Sequence, residues 1–531
     1  MDDLAATTIP DVLRLAARRW PHTEALVDGH ARMTFAELGD AVTETGRALI
    51  ASGVEAGDRV AIWAPNVHEW VLAALGTYAV GAAVVPLNTR FKGTEAAHVL
   101  RTSKARLLFT VTDFLDTDYV ALLDGQPDIG CVTETVVLRG PLRPSTVSWT
   151  DFLARGDAVP GSAVADREAA VAPDDMSDIL FTSGTTGAPK GAMLSHEASV
   201  RAYTAWTDVI GLRAGDRYLI INPFFHAFGL KAGILACLLT GATMVPHLVF
   251  DVPSVMARIP EERITMLPGP PAIYQTILNH PDLHRFDLSS LRLAVTGAAS
   301  VPVELVVAIR EVLRFETVVT GYGLTESTGI VTMCRHDDDP VTIATTSGRA
   351  IPGVEVRLVD DRGDTVAPGS PGEIVVRGYN VMKGVYGDPA ATAEAIDADG
   401  WLHTGDVAVQ DEAGNVRITD RKKDMFINGG FNAYPAEIEG IMAQRADLAQ
   451  IAVVGVPDER MGEVGMAFVV PKIGATVDPA ELVTWCRANM ANYKAPKYVH
   501  LVESMPLNAS GKVMKFELRR LADSLLSRPT S

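Results

Sequence analysis

The chain has 531 residues, too many for one core, and its 47% hydrophobic and 21% charged residues are the balance of a folded protein with several units. A net charge of −18 excludes a surface built to neutralise nucleic-acid phosphates. It leaves room for a small anion held by a few lysines and backbone N–H groups.

The N-terminal stretch "MDDLAATTIP" carries two acids and no basic run, so no secretory signal is expected. Thr34-Phe-Ala-Glu37 is a capping-box sequence, and the helix it opens should stop at Gly53. Strands are predicted at 60–63, 83–85 and 106–110, and a helix at 68–80. The longest apolar stretch, Val71 to Leu87, is broken by Gly81 and reads as a buried helix and a buried strand rather than a membrane span. Strands alternating with helices predict a parallel, doubly wound sheet.

The middle third repeats the pattern. Strands are predicted at 178–182, 218–222, 263–267, 292–296 and 317–320, each running into a loop rich in Gly, Pro or Ser. Ligands of open α/β sheets bind beyond the carboxyl ends of strands, so these five loops should line one crevice. From Val341 a period-two pattern with glycine turns predicts antiparallel hairpins that end near Asp420. After the basic run Arg421–Asp424, strands over 450–458 and 466–472 and a helix capped by Asp478 predict a compact α+β unit.

The whole reads as α/β plus α+β: a large N-terminal domain of doubly wound sheets with a small β-unit, then a small mobile C-terminal domain. The divisions expected are 1–170, 171–340, 341–420, a hinge at 421–424, and 425–531. Cys131, Cys237, Cys334 and Cys486 are far apart with no CxxC, which points to reduced core thiols in a cytoplasmic protein. "CRHDDDP" (334–340) reads as an exposed acidic loop, not a metal site.

The segment "FTSGTTGAPKG" (181–191) is the most informative. Its glycines can turn backbone N–H groups into an anion-binding concavity, Thr182, Ser183, Thr185 and Thr186 add hydroxyls, and Lys190 adds a positive charge. The glycine spacing and Pro189 rule out a Walker A loop, which needs four residues between Gly and Gly-Lys. "GAML" then reads as a strand, with Ser195 capping the next helix.

This segment resembles the phosphate-binding signature of the ATP-dependent adenylate-forming enzymes, a superfamily that includes acyl-CoA synthetases, luciferases and peptide-synthetase adenylation domains. "GYGLTES", "GWLHTGD", "DRKKDMFINGG" and "PLNASGKVMK" match in the family's order, so the resemblance covers nearly the whole chain. It implies a two-step reaction. An acid and ATP give acyl-adenylate and pyrophosphate, and coenzyme A then gives acyl-CoA and AMP.

It also implies roles. Glu326 matches the acid that coordinates Mg²⁺, Thr325 a phosphate-contacting hydroxyl, and Lys512 the lysine that bridges acyl and α-phosphate oxygens. Thr182, Ser183, Gly184, Thr185, Thr186, Gly187 and Lys190 match the β- and γ-phosphate grip. Asp406 and Arg421 match the ribose contacts. Tyr322 between Gly321 and Gly323 matches the adenine stacker, with Gly297, Ala298 and Ala299 on the other side. Lys423 falls at the hinge, and Gly429 and Gly430 at the loop that coenzyme A passes, though both glycines also read as a turn. "FNAYPAEIE" departs slightly from the family after that loop.

"NPFFHAFGLKAGILACLLTGATMVP" (222–246) should wall the acyl pocket, with His226 gating it. Phe225–Phe228 offers no acid for a substrate ammonium, which disfavours an amino acid. Lys231 either meets a polar group of the substrate or snorkels to water, the latter being the simpler reading. The texture is similar to bacterial fatty-acid–CoA ligases, including those for the bicyclic propanoate left by steroid-ring degradation. The partners implied are a small carboxylic acid, ATP and coenzyme A, with no nucleic acid and no integral membrane segment; a homodimer is compatible with this. Alternatives are an enzyme that loads a carrier protein and a silent ligand sensor.

Overall fold

The computed structural model describes residues 6–126, 129–182, 189–297, 301–360, 362–421, 426–433, 435–472, 474–506, 513 and 515–526. Local signals act as read in the first third. The Glu37 N–H donates to Thr34 Oγ1 at 3.3 Å, and the Thr34 N–H donates to Glu37 Oε2 at 2.8 Å, closing the capping box of the helix Phe35–Ala51. Gly53, with φ +75°, lies just past its C-cap Ser52. The apolar stretch becomes the helix His68–Ala79, buried at every residue from Glu69 onward, and the buried strand Ala83–Pro86. Among the described residues no helix is long and apolar enough to cross a membrane.

Two units divide the chain: residues 1–89, 97–181 and 191–419, and residues 90–96, 182–190 and 420–531. In the first unit an eight-stranded sheet runs Gly384–Val385, Lys190–Ser195, Met176–Thr182, Ala83–Pro86, Arg59–Trp63, Leu107–Val111, Glu134–Arg139, Thr146–Ser148. From Met176–Thr182 to Thr146–Ser148 every pairing is parallel, which gives the expected doubly wound arrangement.

A second row of strands holds the rest of the middle third. Arg217–Ile220 pairs in parallel with Thr243–Pro246, which pairs in parallel with Glu24–Asp28, and Leu293–Thr296 pairs in parallel with Thr317–Tyr322. The strand predicted at 263–267 does not form. Arg263 takes a left-handed φ of +51° as the C-cap of the helix Val252–Glu262, and only Met266 pairs, bridging Tyr218 on one side and Leu293 on the other. That single residue still joins the two halves of the row. Four of the five predicted loops therefore follow one another along a common edge. The fifth, after Met176–Thr182, leaves a different sheet.

An ionic strap crosses between the two sheets. Arg139 Nη2 donates to Asp28 Oδ2 at 2.6 Å and lies 2.7 Å from Glu69 Oε2, while the His68 N–H donates to Asp28 Oδ2 at 3.0 Å. Burial alone would raise the Asp28 pKa, but the bonds from His68 and Arg139 outweigh it and hold it at about 2.

The third sheet of this unit is the expected hairpin region, Val354–Val359, Pro371–Gly378, Leu402–Gln410 and Val416–Arg421, antiparallel from the first strand to the third. The acidic loop before it is used structurally. Asp339 caps the helix Pro340–Thr345, and Asp338 accepts from the Arg335 N–H at 2.7 Å and from Arg349 at 3.1 Å.

In the second unit Leu448–Asp458 and Gly462–Pro471 pair antiparallel, and Tyr498–Leu501 joins the latter in parallel. Period two sends Val453 to one face and Ala452 and Val454 to the other. The first face packs under Ile438, Met442, Leu482 and Cys486, and the second under Leu518 and Ala522. Both faces are covered, which explains the near-continuous apolar run. All four cysteines are free; Cys237, Cys334 and Cys486 are buried and Cys131 is half-buried.

Candidate active site

At the carboxyl end of Thr317–Tyr322 the chain makes a short 3₁₀ turn, Thr325–Ser327. The turn is closed by its own residues. The Leu324 N–H donates to Ser327 Oγ at 3.1 Å, and the Gly329 N–H to the Leu324 carbonyl at 2.9 Å. A Cβ on Gly323 would stand 2.4 Å from the Gly329 carbonyl oxygen, so that position admits only glycine without moving the turn. Gly321 packs against the neighbouring strand, where a Cβ would lie 3.1 Å from the Thr332 carbonyl. Gly297, at the end of the adjacent strand, has φ +156° and lies against the Gly321 carbonyl.

The turn presents Thr325 and Glu326 half-exposed, and it anchors Met382, whose N–H donates to the Glu326 carbonyl at 2.8 Å. The Tyr322 hydroxyl donates to Asp406 Oδ2 at 2.7 Å. Asp406 is only 7% exposed and comes from the strand Leu402–Gln410. Motifs 84 residues apart thus meet in one polar contact.

The segment expected to wall the acyl pocket follows Arg217–Ile220. Asn66, buried after the strand Arg59–Trp63, donates through Nδ2 to the carbonyls of Ile220 at 3.1 Å and Asn222 at 2.9 Å, and accepts the Phe224 N–H at 2.8 Å. Phe224 is buried against Trp70 with ring centroids 5.2 Å apart. His226 is exposed, and its Nδ1 accepts the Phe228 N–H at 3.2 Å. Its pKa lies below the ordinary histidine value, because protein surrounds the imidazole even though the ring reaches solvent.

Lys231 corrects the sequence reading. It neither snorkels nor faces a substrate: it is fully buried and ion-paired with Asp178, which is also fully buried. Asn66 and Asp178 are the residues that sequence reasoning misses. A charged residue inside the apolar strand "MSDILFT" is a usable signal, since a buried carboxylate needs a partner.

Thr182 ends the strand Met176–Thr182 and Lys190 opens Lys190–Ser195, after which Ser195 caps the helix His196–Ile210 as expected. Ser183, Gly184, Thr185, Thr186, Gly187, Ala298, Ala299, Lys423 and Lys512 lie outside the described residues. Arg421 is described only as the last residue of Val416–Arg421. Gly429 and Gly430, with φ +58° and +81°, form a two-residue hairpin turn between Phe426–Asn428 and Phe431–Ala433. Positive φ at both positions is what a type I′ turn requires, so the turn by itself accounts for both glycines.

For Mg²⁺ the donor set at the 3₁₀ turn fits: one carboxylate, Glu326, beside one hydroxyl, Thr325, suits a hard ion that takes its remaining oxygens from water and phosphate. The other candidate cluster among the described residues, Asp28, His68 and Glu69, already has its charge met by Arg139.

Comparison with known proteins shows the family. The AMP-binding enzyme family matches residues 13–386, and the AMP-binding enzyme C-terminal domain matches residues 437–512. A 3-[(3aS,4S,7aS)-7a-methyl-1,5-dioxo-octahydro-1H-inden-4-yl]propanoyl:CoA ligase from Rhodococcus jostii is 52% identical over 97% of this chain and 98% of its own. A protein of the same name from Mycobacterium tuberculosis is 51% identical over 97% of this chain and 99% of its own. Among solved structures, a Mycobacterium tuberculosis fatty acyl CoA synthetase is 31% identical with a TM-score of 0.71, over 98% of this chain and 99% of that one. The chain is an enzyme and belongs to the AMP-binding enzyme family.

Proposed function

We propose that this enzyme is an ATP-dependent carboxylate–CoA ligase whose acid is a bicyclic propanoate of steroid-ring origin, with a fatty acid as the second reading. The observation that carries the nucleotide half is the Tyr322–Asp406 contact beside Thr325 and Glu326. The choice of acid rests on the two relatives above half identity, both named for an indenyl propanoate. The fatty-acid reading rests on the solved synthetase.

In the first step the acid's carboxylate oxygen bonds to the α-phosphorus of ATP, and the bond from that phosphorus to pyrophosphate breaks. One anion attacks another, so the protein contributes positioning and charge neutralisation. Tyr322 stacks on adenine against Gly297, Ala298 and Ala299, with Gly321 and Gly323 shaping the turn. Asp406 and Arg421 take the ribose hydroxyls. Thr325 contacts phosphate, and the loop from Thr182 to Lys190 holds the outer phosphates. Mg²⁺, when bound, neutralises phosphate charge, and Glu326 is the residue that would hold it.

Lys512 bridges the acyl and α-phosphate oxygens. His226 gates the acid site. In the second step the coenzyme A sulfur bonds to the acyl carbon, the bond to AMP breaks, and the thiol proton passes to solvent. Gly429 and Gly430 border the coenzyme's path, and 421–424 acts as a hinge around Lys423. Unpaired cysteines suit a reducing compartment, in keeping with an enzyme of the cytoplasm.

The half-reactions separate this reading from its rivals. Lys512→Ala is expected to lose ~10²–10³-fold in acid-dependent pyrophosphate release, the cost of one donor to transition-state charge. It should keep much of its thioester formation from supplied acyl-adenylate. Equal loss in both halves removes Lys512 from the bridging role. Release of free acyl-CoA, rather than loading of a carrier protein, decides the acceptor.

A further inference from the structure

Lys231 sits in a π-helix, Phe228–Leu235, in which every residue from Gly229 to Leu235 is buried. Such helices are rare, and they concentrate at functional sites. One face bears on the row of strands that carries the acid-side segment. A Cβ on Gly229 would lie 2.1 Å from the Pro223 carbonyl oxygen, and one on Gly233 would lie 2.9 Å from Ile220 Cγ2. Lys231, two residues from each glycine, reaches the other way to Asp178 on Met176–Thr182, a strand of the eight-stranded sheet.

Asp178 has partners besides the lysine. Asp178 accepts from the Tyr78 hydroxyl and from Ser177 Oγ at 2.5 Å, and Lys231 Nζ lies 5.4 Å from the centre of the Tyr78 ring. A buried pair of this kind adds little net stability over a packed apolar pair, but it accepts one geometry where apolar contacts can slide. The helix begins directly after the Pro223–Ala227 segment, and the Leu230 N–H donates to the His226 carbonyl at 2.9 Å. Any slip of the helix is therefore passed to His226.

We infer that Lys231 is a positioning residue: its ion pair with Asp178 fixes the π-helix along the Met176–Thr182 strand and so sets where the His226 segment stands at the acid end of the site. The inference rests on the reading of that segment as the acid gate. It assigns Lys231 to acid selection with no contact to the acid.

The test compares the wild type with the isosteric apolar double variant Lys231→Met/Asp178→Leu. KM for the acid, KM for ATP and kcat are read by pyrophosphate release, using an octahydroindenyl propanoate and octanoate, and the melting temperature is read separately. The double variant is expected to melt a few degrees below the wild type and to stay folded at 25 °C, because an apolar pair replaces the ionic one while the buried Tyr78 hydroxyl loses its acceptor. KM for the bicyclic acid should rise ~10-fold or more through misplacement of the gate, with KM for ATP within about twofold. An unchanged acid KM, an equal rise for ATP, or a double variant unfolded at 25 °C overturns the inference; the last outcome assigns the pair to the fold alone. Wild-type pyrophosphate release that ignores every acid sinks the ligase reading as well, so the two failures are distinguishable.

Discussion

Two segments at the carboxyl ends of strands in one row are held in different ways. The 321–329 turn is fixed by its own residues: Ser327 closes it, and Gly323 lets the chain pass against Gly329. The 222–228 segment is fixed from outside, by Asn66 on one side and through Lys231 and Asp178 on the other. A self-held turn repeats wherever its short sequence repeats. An externally held segment depends on residues that are distant in the chain, so it can shift while the self-held turn stays in place.

The largest effect should come from breaking the self-held turn. Gly323→Ala must displace the backbone at Gly329, and ~100-fold loss of pyrophosphate release is expected, with kcat and KM for ATP both affected. An alanine variant with wild-type kinetics would show that the turn tolerates movement and would erase the contrast.

Breaking the external support should be selective. Asn66→Ala strips the partner from the Phe224 N–H and from the Asn222 carbonyl, while the Ile220 carbonyl keeps the His247 N–H. About 2–3 kcal/mol of stability should go with them, since buried polar groups are left unsatisfied. KM for the acid should rise ~10-fold while KM for ATP holds, as expected when only one end of the site shifts. Urea denaturation and steady-state kinetics read the two parts separately.

A third test is pH. His196 is buried, its Nδ1 accepts the Ile9 N–H at 3.3 Å, and its ring packs edge-on to Tyr78, which in turn bonds Asp178. Burial, with a smaller push from Lys231, lowers its pKa to about 4 against the opposing pull of Asp178. The unfolded chain takes up this proton near the ordinary value of about 6.5, so between there and about 4 the unfolded state binds more protons. Stability should be full above that window and fall as the pH drops through it, by about 2 kcal/mol between pH 7 and 5. Urea midpoints of wild type and His196→Asn at the two pH values check this; equal pH slopes would assign the loss to other groups.

The smallest effect belongs to Tyr322→Phe. It removes one hydroxyl donated to Asp406, worth about 1 kcal/mol, and should raise KM for ATP by about fivefold with little change for the acid.

The same contrast explains what can be read from the sequence. "GYGLTES" is legible because the turn is local, and the capping box at Thr34 and the Asp478 cap are legible for the same reason. The doubly wound order follows from alternation of strand and helix. The strand expected at 263–267 fails because Arg263 ends a helix in a left-handed conformation, leaving Met266 alone to pair. Lys231 is misread because a lysine on an apolar stretch ordinarily seeks water, whereas its partner lies 53 residues earlier in a buried strand. Asn66 is invisible because nothing near it in the chain says that it will meet a loop 156 residues later.

The central claim is that the site joins an organic acid to the α-phosphate of ATP. Exchange of labelled pyrophosphate into ATP tests it most directly, with purified enzyme, Mg²⁺ and a panel of linear, aromatic and bicyclic acids in the absence of coenzyme A. The expected result is exchange that depends on the acid and is fastest with an indenyl propanoate. Exchange with none of the acids, or the same exchange with and without them, would contradict the account.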